Sequence, residues 1–204
     1  MNLYVSIASE AERLEAAQLF QKVYEEEFQL DFKRFDDAFP LVFPSDVLLI
    51  RLQESRLVGT ASLMRPVEGL FPSEYIFGAD LSGLVDPLSL AQSVEVGRLA
   101  KIRDFPSGVI AKAVMLATDK YLHSRCLGGW VATVKPPLYR ILEKTGLTMT
   151  PVALSIEKTG EQAECVRLYK GSGILAFRAL AESTAAAFGT MSHTIGEYDI
   201  QLLF

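Results

Sequence analysis

Between residues 93 and 146 the apolar pattern changes period three times, and this restricts the chain to few folds. SVEVGRLAKIRDF (93–105) alternates as a strand. Val109, Ile110, Ala113, Val114, Ala117, Tyr121 and Leu122 then recur at helical spacing over about 108–124. LGGWVATV (127–134) returns to strand composition, and PPLYRILEKTGL follows as a short helix. Gly146 suits the end of that helix, because a left-handed C′ residue is cheapest without a Cβ. Two strands joined by one helix at this spacing must lie parallel, with the helix crossing a sheet face.

The flanking segments fill out an α/β (α+β) domain with a mixed central sheet flanked by helices. LYVSIAS (3–9) reads as a first strand, and Ser9 with Glu12 forms a capping-box pattern. Leu14, Ala17, Phe20, Tyr24 and Phe28 then mark one apolar face of a helix over about 10–29. The aromatic and acidic extension to Pro44 is either a second short helix over a pocket or a surface connection. Residues 46–66 divide into an antiparallel hairpin around Glu54 and Ser55. Residues 67–92 are weakly periodic, as expected of a lid or binding loop with one helical turn. TPVALSIEKTGEQAECVRLYK reads as two strands around Thr159 and Gly160. One domain over 1–204 is expected, with a small, polar tail from about 181 that no pattern places.

Half of the residues are hydrophobic and 22% are charged, a composition that compacts rather than disorders. The longest apolar runs are far short of a bilayer span, and the first residues lack the basic flank and apolar block of a secretory signal, so a cytoplasmic location is expected. Cys126 and Cys165 are read as reduced, partly buried thiols, and His123 and His193 stand apart, so no metal site is announced. The net charge of -5 conceals a basic stretch, because residues 98–144 carry nine Lys/Arg against three acids. That stretch is either a set of solvated helix faces or a patch for an anionic ligand or acidic partner. A nucleic-acid partner is not expected, since no zinc-finger or aromatic-basic signature accompanies the acidic balance.

The chemistry concentrates at 95–108. Regular alternation would put Glu95 and Arg98 on opposite faces, but Gly97 between them is a candidate bulge that would change which side chains converge. The pair is either an ion pair at a sheet edge or a substrate-handling set. Beyond it, RDFPSG (103–108) enters a helix whose unpaired first amides, beside Arg103, would form an anion site; a plain turn with Ser107 as N-cap is the alternative.

The succession of hairpin, EVGRLAK strand, RDFPSG loop, helix, GGWVATV strand and PPLYRILEKTGL helix resembles the GCN5-related N-acyltransferase superfamily over roughly residues 3–150. Arg103 and Gly108 match the ends of that superfamily's pyrophosphate loop, while Pro106 replaces its middle glycine and removes one amide donor. EVGR resembles the E-x-S/G-R segment of acyl-homoserine-lactone synthases and long-chain N-acyl amino acid synthases, with Glu95 and Arg98 in the matching places. Ser62 stands where a lactone synthase has an arginine.

The resemblance implies attack of an amine on an acyl thioester. It makes Glu95 the acceptor of the amine proton and places Arg98 at the acceptor carboxylate. Tyr139 becomes the candidate acid for the departing thiolate, unless it is a core or helix-surface tyrosine. The implied donor is acyl-CoA or a phosphopantetheine-linked acyl carrier protein, held by Leu99, Ala100, Lys101, Arg103, Ser107, Gly108 and Val109, without a metal. The implied acceptor is a small amine or amino acid. A medium or long acyl chain is expected. A non-catalytic acyl or carrier-protein binder and a small-molecule acetyltransferase are the competing expectations.

Overall fold

In chain order the elements are β1 (Asn2–Ile7), α1 (Glu10–Phe28), α2 (Phe32–Ala38), β2 (Ser45–Leu52), β3 (Arg56–Met64), α3 (Pro72–Phe77), β4 (Ser93–Lys101), α4 (Ser107–Ser124), β5 (Gly129–Val134), α5 (Pro136–Glu143), β6 (Thr150–Leu154), α6 (Gly160–Cys165), β7 (Gly173–Ala179), β8 (Thr194–Ile195) and β9 (Tyr198–Leu202). They come from a computed structural model that describes residues 1–81, 91–144, 150–154, 160–165, 173–179 and 193–204. The strands make one mixed sheet in the order β6-β7-β5-β4-β3-β2-β1-β9-β8. β4 and β5 are parallel, as the α4 crossover requires, and β1 and β9 are also parallel. The remaining neighbours are antiparallel.

Alternation along β2 sets the layers. Leu48 and Ile50 are fully buried in the core that also holds Val109, Ile110, Ala113 and Leu116 of α4. Leu49, between them, packs instead with Ala8 and Ala16 on the α1 face. The two helices therefore cover opposite faces. α4 is held close at two places. Gly59 of β3 leaves so little room that a Cβ there would stand 3.0 Å from the Ile110 side chain. Across the sheet, the buried Trp130 indole N–H donates to the Asp119 carboxylate at 3.1 Å.

The first helix starts as its sequence requires. The Glu12 carboxylate accepts from the Ser9 backbone amide at 3.0 Å and from its hydroxyl at 2.7 Å. The hairpin turns at Gln53 and Glu54, both with positive φ. The aromatic extension resolves into a second helix, α2, whose Asp31 cap accepts from the Arg34 amide at 3.0 Å.

Four expectations are corrected. Residues 160–165 are helical rather than a second strand, and Glu, Gln and Ala there favour a helix, with no β-branched residue to oppose it. α6 docks on α2 through the Arg34–Glu164 ion pair and a Gln162 amide donating to the Ala38 carbonyl at 3.3 Å. The N-cap of α4 is Pro106, and Ser107 is already helical. The unplaced tail includes β9, which pairs with β1 and buries Ile200. Cys126 is exposed rather than partly buried. Gly146, residues 155–159 and 166–172, and the tail over 180–192 lie outside the described residues. Among the described residues, no helix is long and apolar enough to cross a membrane.

Cys126 is exposed because it terminates α4 in the left-handed region, with φ 53°. Its amide donates to the His123 carbonyl at 3.2 Å, and the Leu127 amide reaches back to Leu122 at 2.9 Å. This is the Schellman arrangement with a cysteine where glycine is cheapest. Cys126→Gly is expected to stabilise the fold by about 0.5–1 kcal/mol, read as a higher urea midpoint at unchanged slope.

Candidate active site

The site is made by an extra residue in β4. On β3, Thr60 and Ser62 enclose one residue, Ala61; on β4 their partners Ala100 and Gly97 enclose two, Arg98 and Leu99. This is a β-bulge, and Arg98 takes it up with a left-handed φ of 51°. An arginine there costs on the order of 1 kcal/mol relative to an unstrained conformation. The bulge cancels the alternation that would have separated the charged pair, and Glu95 and Arg98 line one cavity.

That cavity, of about 630 Å³, lies between the α1 face of the sheet and the α2–α3 layer. Eight aromatic residues line it: Phe20 and Tyr24 from α1, Phe32 and Phe35 from α2, Phe39 and Phe43 beyond it, and Tyr75 and Phe77 from α3. The rings contact one another edge-on or tilted, with Phe39 and Tyr75 centroids 6.0 Å apart and Phe35 and Phe39 5.1 Å apart. The segment expected as a lid or binding loop thus supplies part of a wall through α3. Gly97 forms part of the floor, and a Cβ there would stand 2.5 Å from the Met64 terminal methyl.

Glu95 is only 4% exposed and its Oε2 accepts from the Ser73 amide at 2.8 Å. Ser73 sits in the first turn of α3, where helical geometry leaves amides without a partner. Burial pushes the Glu95 carboxyl up to about 7; the Ser73 amide opposes that shift and the nearby Glu74 adds to it. Arg98 sits at the rim, exposed, with its guanidinium carbon 6.0 Å from the Phe20 ring centroid. Among the described residues it has no salt bridge.

A second, narrower cavity of about 180 Å³ passes between β4 and β5 towards α4. It exists because the parallel strands pair only at Ser93–Glu95 with Gly129–Val131 and then separate around the bulge. Leu99, Trp130, Met115 and Leu138 line it. The two cavities meet at Tyr24, Val96, Gly97, Arg98 and Thr133, which line both. Tyr24 is fixed there by its hydroxyl, which donates to the Leu99 carbonyl at 3.3 Å, and burial pushes its pKa up to about 12. Lys135 lines the slot with its ammonium 4.2 Å from the Phe28 ring centroid. Desolvation lowers its pKa, against the pull of Glu27.

The remaining expected residues line neither cavity. Ala100 is buried and paired with Thr60. The Lys101 ammonium folds back onto the Ile102 and Arg103 carbonyls at 3.3 and 3.0 Å. Arg103 is exposed in the turn, and Ser107 and Gly108 open α4. The Val109 side chain is in the core and its amide is already bonded to the Pro106 carbonyl at 3.1 Å. Tyr139 is 8% exposed and packs in the core; it is not among the residues lining either cavity. Tyr24, Ser73, Thr133 and Lys135 were not anticipated. Tyr24 carried only the signal of a helical apolar stripe, and Ser73 meets Glu95 solely through tertiary structure. Among the described residues, no group of three or more His, Cys, Asp or Glu is placed to hold a metal ion.

The burial of Glu95 has a thermodynamic consequence. Its folded pKa of about 7 lies above the ordinary carboxyl value of 4.5, so between those values the folded chain keeps a proton that the unfolded chain has released. Stability therefore falls as pH rises through this window, by up to roughly 3 kcal/mol, and the full penalty applies above pH 7. Glu95→Gln, which keeps an oxygen for the Ser73 amide, is expected to unfold at higher urea than wild type at pH 8 and at nearly equal urea at pH 5. Arg98→Gly is expected to gain about 1 kcal/mol by removing the left-handed strain, whereas Arg98→Ala retains it.

No protein-family model and no curated protein matches the sequence. The fold does match solved structures at low identity. FeeM, an N-acyl amino acid synthase from uncultured soil microbes, aligns over 88% of this chain and 92% of its own at 14% identity and a TM-score of 0.60. The CoA-dependent acyl-homoserine lactone synthase BjaI, determined with MTA, aligns over 98% and 92% at 14% identity and a TM-score of 0.56. An acetyltransferase of the GNAT family from Staphylococcus aureus Mu50 aligns over 87% and 99% at 9% identity and a TM-score of 0.53. The chain shares the mixed-sheet fold of these acyltransferase structures.

Proposed function

We propose that this protein is an N-acyltransferase that moves a medium or long acyl group from a phosphopantetheine thioester to an amine. The observation that carries the reading is a buried carboxyl, Glu95, facing an aromatic cavity that joins a slot between splayed strands at the bulge. An extended thioester arm fits the slot, and in this reading its phosphate is held outside the slot by Arg103 and the first amides of α4. Acyl-CoA and an acyl carrier protein present the same arm, and the basic surface from 98 to 144 suits either. The aromatic cavity is larger than an acetyl group requires and has room for an acyl tail beside an amine. Support for amine acylation comes also from the neighbours named as an N-acyl amino acid synthase and a homoserine lactone synthase.

In this reading the Glu95 carboxylate takes a proton from the incoming ammonium, directly or through water, so that nitrogen has a lone pair to attack the carbonyl carbon. A pKa near 7 keeps a sizeable carboxylate fraction at neutral pH while leaving the group basic enough to act. Arg98, without a salt bridge among the described residues, is positioned at the rim to pair with an acceptor carboxylate through two N–H donors, which favours an amino acid. Tyr139, which lines neither cavity, is given no role in this reading.

The test is to incubate the purified protein with acetyl-CoA, octanoyl-CoA and an octanoyl carrier protein, each with pooled amino acids, measuring free thiol and product mass. Thiol release with an N-octanoyl product is expected, faster than with acetyl-CoA. The rate is expected to rise with pH about a midpoint near 7, and Glu95→Gln is expected to lower turnover by about 100-fold or more while donor binding persists. Binding of octanoyl-CoA without thiol release for any amine would show a non-catalytic binder instead.

A further inference from the structure

Thr133, on β5, is one of five residues shared by the slot and the aromatic cavity. Its hydroxyl oxygen is buried and, among the described residues, has no hydrogen-bond partner. A hydroxyl stripped of water without replacement destabilises the folded state, so an orphan of this kind calls for an explanation. Valine would fill the same space on a strand at no such cost. The position within the site supplies the explanation.

Under the proposed reaction the thioester has to lie where both cavities reach, since its arm occupies the slot and the amine stands beside Glu95. Of the other shared residues, Val96 and Gly97 carry no side-chain donor. Tyr24 already donates to the Leu99 carbonyl at 3.3 Å. Arg98 is at the exposed rim beside Phe20. Thr133 is thus the shared residue whose side-chain donor is uncommitted, on β5 across the splay from the bulge.

We infer that the Thr133 hydroxyl donates a hydrogen bond to the carbonyl oxygen of the bound acyl thioester and holds it through the reaction. This rests on the acyltransferase reading. With the ammonium's first proton already passed on from Glu95 to solvent, the amine nitrogen bonds to the carbonyl carbon while the C=O π pair moves onto oxygen, and the nitrogen's second proton passes to the Glu95 carboxylate. The oxygen pair then returns, the C–S bond breaks, and the thiolate takes a proton from the solvent or from Glu95, leaving amide and thiol. Charge on the oxygen is greatest at the tetrahedral stage, so a fixed donor strengthens there without having to reorganise. Thr133 is in this sense a residue of the reaction, and its hydroxyl is a binding group in the resting donor complex as well.

Thr133→Val removes the donor at constant shape, and Thr133→Ser restores it. The direct readout is the carbonyl stretch of octanoyl-CoA carrying ¹³C at C1, recorded by infrared difference spectroscopy on the bound donor without amine. The stretch is expected to be lower in wild type and Thr133→Ser than in Thr133→Val. With amine present, Thr133→Val is expected to lose 10- to 100-fold in kcat with donor KM changed less than threefold, and to unfold at urea equal to or above wild type. The same stretch and the same kcat in wild type and Thr133→Val would overturn the inference while leaving the acyltransferase reading intact. Failure of wild type to bind the donor would overturn both. A loss of kcat in Thr133→Val with an unchanged carbonyl stretch would also overturn it, because the hydroxyl would then be acting elsewhere.

Discussion

An antiparallel ladder has no place for an unmatched residue, so a strand that carries one must kink and leave backbone groups unpaired. On β4 that residue falls between Gly97 and Ala100, and most of the site follows from it. Glu95 and Arg98 come to one cavity, β4 draws away from β5 after three paired positions, and the gap becomes a passage into the α4 face. The cost is partly visible as a left-handed arginine. The surroundings hold the kink in place: Tyr24 bonds the Leu99 carbonyl from one side, and Ala61 and Thr60 are fully packed on the other. A rigid sheet thus contains a local irregularity that its neighbours determine fully.

The site combines two environments that oppose each other in free energy. The aromatic walls and the burial of Glu95 raise its proton affinity, while a single amide from Ser73 limits the rise. A carboxyl more solvated than this would ionise too readily to be a good base, and one wholly without a donor would hold its proton at neutral pH. The Ser73 bond also ties α3 to the sheet, so the wall above the cavity and the titration of the group below it depend on one contact.

The parts of the architecture that rest on local periodicity were legible in the residues. The β2–β3 hairpin, the long helices α1 and α4 and the parallel β4–β5 pair each announce themselves by spacing, and Gly97 marked the bulge correctly. What was not legible depends on distance in sequence. Ser73 and Glu95 are 22 residues apart with no pattern linking them, and Thr133 was one more polar residue on a strand. α6 was misread because a five-residue polar stretch after glycine satisfies either period, and only helix propensity favours one. Tyr139 illustrates the converse, where a resemblance of sequence implied a hydroxyl near the reaction and the residue lines neither cavity.

The pairing of Asn2 with Asp199 and of Val5 with Leu202 makes β1 an interior strand only when β9 is in place. On a ribosome β1 emerges well before β9, and its outer edge waits until the residues between them have been made. An open strand edge of alternating apolar residues is a template for pairing with a neighbour, and closing a loop of this length is slow. β9 thus acts as a late seal on β1, so the conditions of synthesis, and not only those of equilibrium, bear on how much of this protein reaches its native sheet.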